Sequence, residues 1–353
     1  MGENPERAEI GGFPARPRGR GPGRGAGPEE AVPAEGGAPV GTLAQLARRL
    51  PVDEGALRGV AARYRLRIPA HYLALVESPD DPLWRQAVPH PEELEEAGLP
   101  EDFLAEDHPR YSPTPHLTHR YPDRALLLVT GQCPMYCRFC MRKRKTLAGA
   151  TVGEASIAAG IEYLRRTPAV REVILSGGDP LILSDGRLAT ILQALRTIAH
   201  LQVIRIHTRT PCVEPRRITP ALAALLARHR PLWLAVHFNH PREITAPARR
   251  ALAMLAAAGL PLSNQAVLLK GVNDDAEVLA ELFRRLLRCG VHPYYLHHSD
   301  PVPGTARFRL SVSEGLSIVA RLREIAPELA MLHYVLDTPG GGGKVPLAWP
   351  PAR

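Results

Sequence analysis

The chain has 353 residues, 45% of them hydrophobic and 23% charged, enough for one large barrel or two ordinary domains of a soluble globular protein. No apolar run approaches the ~20 residues of a membrane span, and the N-terminus lacks the apolar stretch of a secretion signal, so a cytoplasmic location is expected. The formal net charge of +8 does not come from the tail, since residues 1–40 hold five Arg against six Glu. It is spread through the body, as at 138–145 and 284–288, which suits anionic cofactors at least as well as nucleic acid, and nucleic acid is not expected as the partner.

Residues 1–40 are Gly/Pro/Arg-rich without periodicity, which predicts a disordered tail. From Thr42 to about Gly98 the segments LAQLARRL, EGALRGVAARY and PAHYLALVE repeat apolar residues at helical spacing. Pro79 and Pro82 break this region into short helices, and an acidic, Pro-rich connector runs on to Tyr121; 41–120 thus form an N-terminal helical region and connector. Over 121–353 strand-like runs at 125–130, 172–176, 203–208, 232–238, 262–269, 293–297 and 331–337 alternate with amphipathic stretches such as IAAGIEYLRR, LATILQALRTIA and EVLAELFRRLLR. That alternation predicts an α/β protein with a parallel sheet, a partial or full barrel. Chemistry in such barrels gathers at the C-terminal ends of the strands. Cys133, Gly177, His207, His237, Gln265, His297 and Asp337 all fall at or just after one.

Cys133-Pro-Met-Tyr-Cys137-Arg-Phe-Cys140 follows the first of these strands. Full ligation of a four-iron cluster takes four thiolates. Three leave one iron open to the amino and carboxylate groups of S-adenosylmethionine (SAM). Electron donation from the cluster can then cleave SAM to a 5′-deoxyadenosyl radical. A structural zinc site would pair such a loop with a second ligand pair, and none is visible. Cys212 and Cys289 lack partner motifs and read as core or loop residues. The next strand ends in Ser176-Gly177-Gly178-Asp179-Pro180-Leu181, whose Gly-Gly lets the backbone approach a ligand closely.

Near the C-terminus, Asp337-Thr-Pro-Gly-Gly-Gly-Gly-Lys344 lacks the Ser/Thr and helix of a phosphate-binding Walker loop. A lysine on a flexible glycine loop suits a Schiff base with pyridoxal phosphate (PLP), the alternative being a mobile tail. Arg120, Tyr121 and Arg124 in THRYPDR can pair with a phosphate or form a solvated turn. Arg142 stands where it can hold a substrate carboxylate, and its neighbours Lys143–Lys145 read as a solvated charge run. Asp300 and Asp337 are strand-end carboxylates, each also able to cap a turn.

Together THRYPDRALLLVTGQCPMYCRFCMRKR, SGGDPL, VHFNHPREIT, NQAVLLKGVND and DTPGGGGK resemble the lysine 2,3-aminomutase family from about residue 42 onward. The resemblance implies a radical SAM barrel and an intramolecular amino migration from the α- to the β-carbon, L-lysine to L-β-lysine. It implies a [4Fe-4S] cluster on Cys133, Cys137 and Cys140, and SAM near Ser176, Gly177, Gly178, Asp179 and His237. PLP would be held by Lys344 with Arg120, Tyr121, Arg124 and Gln265, the substrate carboxylate by Arg142, and its distal ammonium by Asp300 and Asp337. A low-potential electron donor is implied as partner, and a homo-oligomer is compatible. Longer members carry C-terminal zinc cysteines and a Cys where Asp275 stands, so no zinc is expected here.

YYLHHSDPVPG is similar to a short relative that isomerises a lysine on elongation factor P. That relative lacks the intact glycine–lysine element and the Asp at 337, which favours free lysine. Arginine, ornithine or glutamate as substrate, PLP-independent RNA modification and simple electron transfer are the remaining alternatives.

Overall fold

The computed structural model describes residues 37–95, 98–146 and 152–347. The tail expected over 1–40 lies outside the described residues except at its end, where Val40 is buried and bridges Ile68.

The N-terminal region holds four short helices, α1 (Leu43–Ala47), α2 (Glu54–Arg63), α3 (Ala70–Leu73) and α4 (Pro82–Ala87). Asp53 starts α2 and Asp81 starts α4 by accepting backbone N–H bonds, as N-caps do. PAHYLALVE yields only the single turn of α3.

Nine strands form one sheet in chain order: β1 (Leu117–Tyr121), β2 (Arg124–Thr130), β3 (Glu172–Gly177), β4 (Val203–Thr208), β5 (Leu232–Val236), β6 (Leu262–Leu268), β7 (His292–His298), β8 (His333–Thr338) and β9 (Gly343–Pro346). β2 through β8 run parallel, while β1 and β9 pair antiparallel at the two ends. The connections carry the helices α5 (Lys143–Thr146), α6 (Glu154–Arg166), α7 (Asp185–Arg196), α8 (Thr210–Val213), α9 (Pro220–Ala227), α10 (Ala246–Ala257), α11 (Ala276–Arg288) and α12 (Val312–Ile325). This is a partial (β/α) barrel with an N-terminal helical region.

The strands expected from apolar runs are all present; β1 and β9 are additions. Both are short, and β9 opens on glycine, so neither carries the alternation that marks a strand. Lys344 therefore sits on a hydrogen-bonded strand and not on a free glycine loop; Gly340 and Gly343 make the turn at positive φ of 64° and 92°. The two sheet ends meet where Tyr121 Oη accepts the Lys344 backbone N–H at 3.0 Å.

Amphipathic spacing seats the helices. In α11, Leu279, Ala280, Leu282, Phe283 and Leu286 are all buried, each large side chain contributing about 1.5–3 kcal/mol of burial. Asp275 is the N-cap of α11, accepting from the backbone N–H groups of Glu277 and Val278. Cys212 is in the core, and Cys289 caps the C-terminal end of α11. Among the described residues no helix is long and apolar enough to cross a membrane.

Candidate active site

Cys133, Cys137 and Cys140 lie half-buried in the loop after β2. Cys133 and Cys140 pack against Val60, Tyr64 and Tyr136, and Cys137 against Phe139, Leu269, Val272 and Phe308. Burial and the neighbouring thiols push the Cys133 thiol up; burial does the same to Cys137, opposed by Arg209. Thiols that resist ionisation in the free protein suit a group that supplies compensating positive charge.

Arg209, one residue past β4, escaped the sequence reading. Its Nη1 donates to Cys137 Sγ at 2.8 Å, and its Nη2 to Gln86 Oε1 at 2.6 Å and Glu243 Oε1 at 2.7 Å. Its buried Nε has no partner. The only available signal was its position after a strand end. Its partners lie 34 to 123 residues away in sequence.

The Ser176–Asp179 turn differs from expectation in two respects. The closest approach of Gly177 and Gly178 is to the protein's own backbone. A Cβ on Gly178 would lie 2.0 Å from Gln132 O, and one on Gly177 2.2 Å from Thr130 O. The turn is strapped to the cysteine loop by Gly178 N–H to Thr130 O (2.7 Å) and Asp179 N–H to Gln132 O (2.8 Å). The Asp179 carboxylate is also taken up internally, accepting from Leu181 N, Thr208 Oγ1, Arg209 N and Thr210 N. It ties the end of β3 to the end of β4, so its carboxylate is not free for a cofactor. Gly178→Ala is expected to cost about 1–3 kcal/mol, as overpacking does, and to displace Gln132 beside Cys133. Denaturant unfolding together with a lowered iron content after reconstitution checks this; parental values for both would refute it.

The barrel mouth gathers the remaining groups. His207 (β4) and Gln265 (β6) meet at 3.1 Å between Nε2 atoms, and His237 Nε2 lies 3.1 Å from Asn239 Oδ1. Burial keeps all three mouth histidines neutral, pulling His237 to about 3 and His207 and His297 well down, helped by Arg209 at His237, by Arg205 and then Arg142 at His207, and by Lys344 at His297. Lys344 Nζ donates to Asp337 Oδ2 at 2.5 Å, the two residues facing each other across β8 and β9. Asp300 lies near enough to feel Asp337. Burial, and then that carboxylate, raise Asp300 to about 7, and its Oδ1 is buried without a hydrogen-bond partner. A buried carboxylate oxygen without a donor is a place for a cationic ligand.

Arg142 is half-buried and held by Glu106, which accepts from Nε at 3.0 Å and Nη2 at 2.7 Å. Burial would raise the Glu106 carboxyl, but Arg142, with Lys145 and Arg144, outweighs it and draws it down to about 2. The bonds to Glu106 use one edge of the guanidinium and leave the Nη1 side for a second carboxylate. Glu106 belongs to the acidic connector, where nothing in the local pattern singles it out.

The run after Arg142 is not a solvated face. Lys143 is 4% exposed and bonds Glu93 Oε2 and Gly304 O, each at 2.7 Å. Arg144 pairs with Asp102 and Asp107, and Lys145 with Asp107. The connector's acids cover the run, because buried or half-buried charges need partners.

Arg120 and Tyr121 close β1, and Arg124 opens β2 with its guanidinium 3.9 Å above the Tyr121 ring. Arg120 Nε and Nη2 are buried with no hydrogen-bond partner. Arg120 adjoins Tyr121, whose hydroxyl accepts the Lys344 backbone N–H, and its two orphaned buried donors fit an anionic group such as a phosphate.

Residues 127–283 match the model of the radical SAM superfamily, the class to which this barrel and its cysteine loop belong: enzymes that use a [4Fe-4S] cluster with SAM. Across its length the sequence is 46% identical over 315 residues to the L-lysine 2,3-aminomutase of Acetoanaerobium sticklandii, spanning 87% of this chain and 75% of that one. The L-lysine 2,3-aminomutase of Clostridium subterminale is 45% identical with the same shares covered. The glutamate 2,3-aminomutase of Clostridioides difficile is 38% identical over 311 residues, 87% of this chain and 73% of that one. The chain belongs to the lysine 2,3-aminomutase family, and is an isomerase of the radical SAM class.

Proposed function

We propose that the protein is a PLP-dependent 2,3-aminomutase that converts free L-lysine to L-β-lysine. The observation that carries the substrate is the pair Asp300 and Asp337, with the orphaned Oδ1 of Asp300, set in the same mouth as an Arg142 already anchored by Glu106. When bound, SAM with the reduced cluster supplies the hydrogen-abstracting radical, and PLP supplies the conjugated ring over which the unpaired electron spreads.

The chain's own residues do the rest. Cys133, Cys137 and Cys140 ligate the cluster, and the Ser176–Gly178 backbone with His237 borders SAM. Arg120 neutralises the PLP phosphate with its unpartnered donors, flanked by Tyr121, Arg124 and Gln265. Lys344 provides the amine that bonds the cofactor, its backbone held by Tyr121. Arg142 takes the substrate's α-carboxylate on its open edge while Glu106 keeps the guanidinium from turning. With Asp300, the Asp337 carboxylate that here accepts from Lys344 Nζ would hold the substrate's distal ammonium.

The glutamate enzyme's similarity makes substrate choice the point to test. A glutamate side chain would set a third carboxylate beside Asp300 and Asp337, and like charges in a buried site repel strongly. Asp300→Asn and Asp337→Asn are each expected to lower kcat/KM for lysine by about tenfold to a thousandfold, for ~1.4–4 kcal/mol of lost interaction. SAM cleavage should persist in both. An ammonium needs Asp300 ionised, so the parent's KM for lysine should fall as pH rises through about 7. An anaerobic panel of lysine, ornithine, arginine, glutamate and lysine-containing elongation factor P decides the matter. Lysine turnover at the parental rate in both variants, or a better substrate than free lysine elsewhere in the panel, overturns the assignment.

A further inference from the structure

The N-terminal region carries a concentration of cations that the reaction does not use. Between Leu43 and Ile68 stand Arg48, Arg49, Arg58, Arg63, Arg65 and Arg67 against two acids, Asp53 and Glu54. All six arginines are exposed. Among the described residues, Arg63 faces Glu101 at 3.6 Å, while the other five form no ion pair. Unpaired like charges held together on a folded surface create a field that a complementary partner can use.

This patch is fastened to the cysteine loop. Tyr136 N–H donates to Arg67 O at 3.1 Å, and Arg138 Nη1 to Arg65 O at 3.1 Å. Cys133 and Cys140 pack on a layer formed by Val60 of α2, Tyr64 at its C-terminal end, and Tyr136. An open cleft of about 700 Å³, lined by Thr42, Leu43, Arg65, Leu66, Arg67 and Tyr136, indents this face. Tyr136 thus belongs to the layer on which Cys133 and Cys140 pack and also borders the cleft. The layer is itself cationic: the Tyr64 ring has Arg63, Arg138 and Lys143 within 6 Å, while one carboxylate, Glu93, serves both Arg138 and Lys143. Cys137, by contrast, points to the barrel side. Electron transfer weakens steeply with distance, so a donor must dock where the thiols come nearest an accessible surface. The barrel mouth is reserved for SAM and substrate.

We propose that the Arg58–Arg65–Arg67 face is the docking surface for a small, acidic, one-electron carrier protein that reduces the cluster through the Tyr64–Tyr136 layer. In this step the donor loses one electron and the cluster gains it; no covalent bond forms or breaks. The proposal rests on the cluster assignment to Cys133, Cys137 and Cys140, but not on the identity of the amino-acid substrate.

The test uses the full chain with its cluster reconstituted. The triple variant Arg58→Glu/Arg65→Glu/Arg67→Glu is compared with Arg171→Glu/Arg228→Glu/Arg250→Glu, which makes the same change in net charge on the barrel. Cluster reduction is followed by anaerobic stopped-flow bleaching with two reductants, flavodoxin hydroquinone and dithionite. The patch variant should be reduced by flavodoxin at least about tenfold more slowly than the parent at low ionic strength, the scale of electrostatic steering. Its rate should also lose the parent's decline with added salt. Dithionite reduction and iron content should match the parent, which separates docking from damage to the fold or cluster. Equal flavodoxin rates in patch variant and parent, or an equal loss in the barrel variant, overturn the proposal. So does a patch variant that loses affinity for bulk tRNA while keeping the parental flavodoxin rate, since the surface would then serve nucleic acid. A chain that binds no four-iron cluster would instead sink the cluster assignment itself.

Discussion

Cys137→Ala protein, reconstituted anaerobically with iron and sulfide, is expected to fall from about four irons per chain to a small fraction of that. SAM cleavage should fall below detection. Three thiolates are the minimum that leaves a single open iron, so losing one removes a cluster ligand and not merely a contact. The loss is compounded by Arg209. Its Nη1 donates to Cys137 Sγ at 2.8 Å, and the guanidinium is buried. Without the sulfur that donor is left unpaired, at a cost of about 1–3 kcal/mol or more for a charged group. Cys212→Ala and Cys289→Ala should keep the parental iron content, because those residues lie in the core and at a helix end. Iron analysis and the cluster's visible absorbance read the outcome. Parental SAM cleavage by Cys137→Ala would remove the radical assignment, and zinc bound in place of iron by the parent would do the same.

Lys344→Ala is expected to lose the borohydride-trapped PLP adduct and at least about a thousandfold of aminomutase activity. Its cluster content should be unchanged, because Lys344 is on β9, paired with β8, whereas the thiols are in the loop after β2. The variant also leaves Asp337, 6% exposed, without the ammonium that pairs with it at 2.5 Å. A fully buried pair broken in this way costs about 3–5 kcal/mol. Lys344 is 33% exposed, so about 1–2 kcal/mol is expected after solvent screening. Lys344→Arg separates the two effects. It restores a cation opposite Asp337 and the stability with it, but forms no Schiff base. An adduct mapped to another lysine, or an adduct on Lys344→Arg, would show that Lys344 is not the PLP lysine.

The parallel strands β2 through β8 and the amphipathic helices around them were legible in the chain, because hydrophobic periodicity is local and the core rewards it. The residues singled out at strand ends were legible for the same reason. A parallel sheet delivers the C-terminal end of every strand to one side, so His207, His237, His297 and Asp337 had to converge; Gln265 lies mid-strand in β6 and joins them through its contact with His207. The Cys-x3-Cys-x2-Cys spacing likewise placed three thiols in one loop without reference to anything distant.

Everything that sets the electrostatics of those residues depended on contacts far apart in sequence. Glu106 reaches Arg142 across 36 residues, and Glu93 reaches Lys143 across 50. A run read as solvated became a covered, paired one. Gln86, from α4, and Glu243, from the turn after β5, converge on Arg209. Gly177 and Gly178 are required by the packing of one strand end on another, which no turn propensity reveals. The glycine-rich segment before Lys344 reads as flexible in isolation; pairing with β8 makes it a strand and sets the amine on Asp337. Local pattern chose the strands, the loop and the side of the barrel where chemistry gathers. Folding chose which buried charges meet, because the cost of burying a charge is offset only by a partner brought in from elsewhere in the chain.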